Sequence, residues 1–310
     1  MSLMDVLTYI GLVVIFPGFL FTALIGMASS WIDRKVSARL QWRVGPPWYQ
    51  PIADVVKLMS KETVVVEGSS RFTFLSAPFI GFAAVVVVST MIWMASIRPD
   101  MGFVGDLIVV LYLLYIPSLA MIIGGSASRN PYGALGASRE MKLMLAYELS
   151  FLIAVFTLIV NNGGIISLGG MVQYQQANGP MLAHGVSSVI AFIVALICIL
   201  AKLGVGPFDI AEAECELIAG PYTEYSGSPM AAFKVTRFML LCALPILLVT
   251  LFATSAWTPW AILWYVLILV FIILIKNTNP RLRIDQALRF FWGPVLVLSL
   301  VGIVLAVVGL

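Results

Sequence analysis

The sequence predicts an all-α integral membrane protein with eight transmembrane helices, an amphipathic surface helix and an acidic cytoplasmic loop, in one membrane domain over residues 1–310. Three observations carry that expectation. Of the 310 residues, 61% are hydrophobic and only 11% charged, with a mean hydropathy of +1.03, whereas a soluble domain carries about 25% charged residues. The apolar residues gather in runs of the length that a hydrocarbon core of about 30 Å demands of a helix. The cations collect in alternate connections between those runs.

The runs fall near 6–28, 74–96, 105–123, 143–160, 186–201, 235–253, 259–275 and 291–309. Each is expected to be a helix, because backbone in hydrocarbon must satisfy its polar groups within its own segment. Residues 1–6 carry Asp5 and no Lys or Arg, so the first run lacks the basic start of a cleaved signal peptide and reads as a permanent span. The connections after the first, third, fifth and seventh runs hold seventeen of the eighteen cations, and only Arg98 lies on the other side. The positive-inside rule therefore places these four connections in the cytoplasm and both termini outside, in the cell membrane. The two halves lack convincing self-similarity, which disfavours a stand-alone transporter built from repeats.

Within the first basic connection, Asp54, Lys57 and Lys61 recur at helical spacing, with Ile52, Val55, Val56 and Met59 mostly opposite. That pattern predicts a short amphipathic helix at the membrane surface. Arg34, Lys35, Arg39 and Arg43 precede it as a basic cluster suited to anionic headgroups or a docked acidic subunit.

The acidic stretch is the chain's most unusual one: Asp209, Glu212, Glu214, Glu216 and Glu224 lie within sixteen residues. A helix over its first part would align Asp209, Glu212 and Glu216 on one face and point Glu214 away. Like charges so close raise one another's pKa and can share protons; a solvated loop attracting a basic partner is the alternative. Glu148 sits inside the fourth run, with Glu140 two turns earlier. An intramembrane carboxylate costs roughly 2.5–3.5 kcal/mol on insertion scales and marks a functional position, unless it simply pairs with Lys202 or Lys142. Asp106 reads as a helix cap near the outer surface. Cys198, Cys215 and Cys242 are scattered and His184 is the sole histidine, so no zinc, iron-sulfur or haem ligation by this chain is expected and any redox centre belongs to a partner. Nothing suggests nucleic-acid binding, a P-loop or a catalytic triad.

Three separated motifs resemble a known superfamily. Asp33-Arg34-Lys35 with Arg43-Val44-Gly45-Pro46, then Gln50 to Leu58 with Lys61-Glu62, is similar to the first cytoplasmic loop of the complex I heel subunit. Gly133-Ala134-Leu135-Gly136-Ala137-Ser138-Arg139-Glu140 with Tyr147-Glu148, and Pro207-Phe208-Asp209-Ile210-Ala211-Glu212-Ala213-Glu214 with Glu216-Leu217 and Glu224-Tyr225, follow in the same order. Gly133 to Glu140, Gly220-Pro221 before Glu224 to Gly227, and Arg281 to Asp285 look more like the energy-converting nickel-iron hydrogenase branch, which includes membrane-bound hydrogenases, formate hydrogenlyase and sulfane sulfur reductase.

The resemblance implies a non-catalytic anchor that couples electron transfer in a cytoplasmic hydrogenase-like arm to proton or sodium translocation. Its implied partners are hydrogenase-like large and small subunits, iron-sulfur subunits and antiporter-like membrane subunits, with iron-sulfur clusters and a nickel-iron centre held by those partners. Carried over, Glu140, Glu148, Asp209, Glu212, Glu214, Glu216 and Glu224 are coupling positions, and Arg34, Lys35, Arg39, Arg43 and Asp54 lie where the arm docks. Two alternatives stand: a quinone-binding complex I heel subunit, and a stand-alone secondary transporter using Glu148 and the acidic loop.

Overall fold

A computed structural model describes residues 10–254 and 257–309, without the side chains of Glu214 and Cys215. Among the described residues all regular structure is helical: α1 (Phe19–Leu40), α2 (Gln50–Met59), α3 (Arg71–Ile97), α4 (Asp106–Leu113), α5 (Ile116–Ala127), α6 (Pro131–Asn161), α7 (Leu168–Asn178), α8 (Val186–Lys202), α9 (Glu214–Leu217), α10 (Gly227–Leu248), α11 (Pro259–Thr278), α12 (Ile284–Phe290) and α13 (Leu296–Val308). Seven helical stretches are long and apolar enough to cross a membrane, and α8 is a shorter apolar helix of 17 residues. The start of the first expected span, residues 6–9, lies outside the described residues.

Helix α10 forms the centre, packed on α1 and α3 and touched by α8, which belongs to a second group where α6 packs on α5, α8 and α13. Its residues from Val235 to Ala253 are almost all buried, which suits a helix that is apolar all round. In lipid such packing rests on close fit rather than on expulsion of water. Gly26 of α1 provides that fit, because a Cβ there would collide with the backbone of Phe238.

Three interruptions shape the bundle. The third span breaks between α4 and α5 at Leu114-Tyr115, just before Pro117, whose ring disfavours continuation. Helix α10 ends in a π-helical segment, Val249–Ala253, and α12 joins α13 through a second, Phe291–Val295, that contains Pro294. The second presents Phe291 to Tyr147 of α6 and to Phe208, with ring centroids 6.2 and 5.0 Å apart.

Two sequence expectations change. Asp209, Glu212 and Glu216 do not share a helical face, since residues 209–213 are irregular and only Glu214–Leu217 is helical. Pro207 and the two glycines before it, Gly204 and Gly206, start this segment poorly for a helix, and separate arginines draw its carboxylates in different directions. Asp106 does lie in the first turn of its own helix, α4, but it is buried and its Oδ1 accepts the backbone N–H of Leu168, so it caps α7 instead. That helix, in the connection between α6 and α8, has no apolar periodicity to announce it.

Candidate functional site: ion pairs around a narrow cavity

The end of the bundle that bears the basic connections holds a network of opposite charges. At its depth is Lys202, the last residue of α8, whose Nζ donates to both oxygens of Glu148 at 3.0 and 2.8 Å. The side chains are 2% and 5% exposed. The ammonium also lies over three aromatic rings, 5.0 Å from the centroid of Tyr115, 5.6 Å from Tyr147 and 5.0 Å from Phe151. Cation–π attraction of this kind strengthens once water is gone. The break at Leu114-Tyr115 brings Tyr115 to this position, and the α6 spacing brings Tyr147, Glu148 and Phe151. Of the two cations considered as partners for Glu148, the structure selects Lys202; Lys142 is exposed.

Toward the basic end, Arg237 of α10 donates to both oxygens of Glu212 at 2.8 and 2.6 Å, and to the Gly204 carbonyl at 3.1 Å. Between these two pairs lies a narrow cavity of about 50 Å³, bordered by Ser118, Glu140, Lys202, Glu212, Tyr222 and Arg237. A water needs about 10–15 Å³ of such space, so the cavity admits a few. Glu140 is buried against it, with Ser118 within hydrogen-bonding reach. Burial first, and then the Glu212 charge, push the Tyr222 phenol up from its ordinary value, so it stays a neutral donor at the rim.

The remaining expected carboxylates are also partnered. Asp209 accepts two bonds from Arg281 at 2.8 and 2.6 Å. Glu216 accepts from Arg139 at 2.6 Å on the surface, and Glu224 accepts from the Asn130 side chain. The repulsion expected of five crowded carboxylates is thus replaced, for these residues, by separate pairs. The side chain of Glu214 lies outside what the structure describes. The loop reaches this position by close approach: Gly136 of α6 lies where a Cβ would meet Pro221 and the Ala211 carbonyl, which accounts for glycine in that motif.

Asp54 of α2 accepts from Gln50 at 2.8 Å, Arg34 at 3.1 Å and Lys234 at 3.3 Å. Burial alone would raise its pKa, but the Gln50 and Arg34 hydrogen bonds and the Lys234 charge outweigh it and hold the carboxyl below its ordinary value. Arg34 and Asp54 therefore clasp α1, α2 and α10 together. Lys35 is partly covered, while Arg39 and Arg43 are exposed; Arg34, Arg43, Asp209, Lys276 and Arg281 border an open hollow of about 630 Å³. Beneath Arg34, Asp33 and Lys276, of which the last two are paired at 2.7 Å, a slot of about 340 Å³ runs between α1, α10 and α11 along Phe238, Leu269 and Ile273.

Sequence reasoning passed over Arg237, Tyr115 and Tyr222. Arg237 carries a faint signal as a lone cation entering an apolar run. Tyr115 and Tyr222 carry none, because only the folded chain brings them to the carboxylates.

Comparison with known proteins agrees with this architecture. The NADH dehydrogenase family model matches residues 12–307. The chain is 34% identical to an NADH-quinone oxidoreductase subunit of Thermomicrobium roseum, over 92% of each chain, and 33% identical to the corresponding subunit of Syntrophotalea carbinolica, over 96% of each. Among solved structures it is similar to a chain of the membrane-bound sulfane sulfur reductase, an archaeal respiratory membrane complex, with a TM-score of 0.82 and 26% identity over 93% of this chain and 96% of that one. A family match across nearly the whole length, on a bundle of membrane-length helices, makes this chain a member of the NADH dehydrogenase family and a multi-pass membrane subunit of the complex I-like superfamily.

Proposed function

We propose that this chain is the non-catalytic membrane anchor of a redox-driven ion pump, coupling electron transfer in a hydrogenase-type or sulfane sulfur reductase-type arm to proton or sodium translocation. The observation that carries this reading is the Glu212–Arg237 pair, the cavity beside Glu140 and the buried Glu148–Lys202 pair, arranged as successive charged groups leading inward from the basic end. Charges at such depth are costly and mark ion pathways. Electrons do not enter this subunit; iron-sulfur clusters and a nickel-iron centre belong to partner subunits, with antiporter-like subunits alongside. The likeness to a sulfane sulfur reductase chain supports that branch. Arg39 and Arg43, with the open hollow behind them, suit docking of the peripheral arm.

The same reading takes α8 as the eighth span. Its 17 residues extend about 25 Å at 1.5 Å per residue, within the spanning range, and it packs between α6 and α13. Eight spans return both termini to the outer side. Helix α2 then lies in the membrane surface: Val55 and Asp54 face the bundle, while Ile52, Val56 and Met59 are exposed and meet lipid.

A second reading has its own observation. The 340 Å³ slot combines apolar walls at Phe238, Leu269 and Ile273 with charged groups at Asp33, Arg34, Glu212, Arg237 and Lys276, which suits a quinone-like amphiphile in a complex I heel subunit.

Purification of the complex in mild detergent, with assays of hydrogen evolution, sulfur reduction and quinone reduction, separates the branches. Recovery with iron-sulfur and hydrogenase-like subunits supports coupling, and inhibition by quinone-site ligands supports the second reading. Recovery of the chain alone, moving a substrate by itself, would make it a transporter. In the assembled pump, Glu148→Gln is expected to abolish or slow coupled turnover without dissociating the complex, and normal pumping would sink the assignment of Glu148.

A further inference from the structure

We infer that Lys202 is a mobile positioning residue that controls when Glu148 can bind a proton; this rests on the coupling reading above. Lys202 touches two environments at once. Its ammonium is seated on both Glu148 oxygens inside the cage of Tyr115, Tyr147 and Phe151, yet its side chain also borders the cavity shared with Glu140 and Glu212. It is therefore the group that separates Glu148 from the few waters this cavity admits.

The chemistry follows from burial. While the ammonium sits on it, Glu148 is a compensated carboxylate. Rotation of the flexible lysine stem toward Glu140 carries the charge to the cavity side, keeps the proton on nitrogen and breaks no covalent bond. Glu148 is then an isolated anion among apolar groups, and such a group neutralises by taking up a proton, here from cavity water. Return of the ammonium expels that proton. The aromatic faces attract the seated cation but, unlike a second carboxylate, do not fix it through directional hydrogen bonds. The Tyr147 hydroxyl is buried close by, beside Ser118 and Glu140 at the cavity side of the same pair.

A fixed structural pair makes the opposite prediction for arginine. Arg keeps the charge and grips a carboxylate through a rigid two-pronged fork, whereas Lys is a movable point charge. The test uses the whole complex in proteoliposomes, measuring proton and sodium uptake per electron, together with infrared difference spectra of the redox reaction. Lys202→Arg is expected to assemble and to lose ion transport, and Lys202→Met is expected to hold Glu148 protonated throughout. In the unaltered complex a protonated-carboxyl band should appear during turnover and vanish in Glu148→Gln. Full transport by Lys202→Arg, or by the neutral pair Lys202→Met/Glu148→Gln, would overturn the switch while leaving the coupling role intact. Absence of any Glu148-dependent carboxyl band in the unaltered, pumping complex would overturn it too, whether or not the variants fold. An unaltered complex that moves no ion takes down the coupling reading and the switch together.

Discussion

Glu212 and Glu216 are four residues apart in the acidic loop, yet they meet different fates. The Glu216 side chain is 59% exposed against Arg139, and surface pairs of this kind contribute about 0–1 kcal/mol. Glu212 holds Arg237 with two hydrogen bonds at the mouth of the narrow cavity. Glu216→Gln is therefore expected to leave ion transport per electron near normal, and Glu212→Gln to lower it, in proteoliposomes of the assembled complex. Unchanged transport in the double variant would return the segment to a solvated acidic loop. Removing one partner of a fully buried pair such as Glu148–Lys202 is harsher, about 3–5 kcal/mol, so variants there need the paired neutral control.

At the scale of elements, two short helices are held by single aspartates. Asp54 fastens α2 to α1 and α10, and its depressed pKa means that its protonated form is favoured in the unfolded chain. That contribution is present above the ordinary aspartate value of 3.8 and is lost as pH falls through the lower folded value. Thermal stability of the purified protein should drop on acidification below 3.8, with Asp54→Asn lower at neutral pH and less sensitive to acid. Asp106 caps α7 by accepting from Leu168. Loss of a hydrogen bond to a charged group costs about 1.5–3 kcal/mol, so Asp106→Ala should speed amide exchange over Leu168–Asn178 while α2 exchanges as before.

At the scale of the molecule, the arrangement of spans sets which face each connection meets. Lys61 and Met101 flank the single span α3, so they lie on opposite sides of the membrane, both exposed. In a background without native cysteines, Met101→Cys should react with an impermeant thiol reagent added to intact cells, and Lys61→Cys only after the membrane is opened. The reverse pattern would invert the orientation. Labelling beyond α13 from the same side as Met101 would support eight crossings, and from the opposite side seven.

Sequence alone determined the bilayer as solvent and the superfamily, because composition, run length and ordered motifs are local quantities read without coordinates. It marked Glu140 and Glu148 because a carboxylate in an apolar run stands out against its neighbours. Tertiary structure decided the rest. Pairing of Lys202 with Glu148 instead of Lys142, the separate arginine partners of Asp209, Glu212 and Glu216, and the cap that Asp106 gives to α7 join groups distant in the chain. Helical periodicity predicted one face for three carboxylates, and it failed there because a short segment led by glycine and proline does not nucleate a helix of its own, which leaves each carboxylate to meet a different arginine.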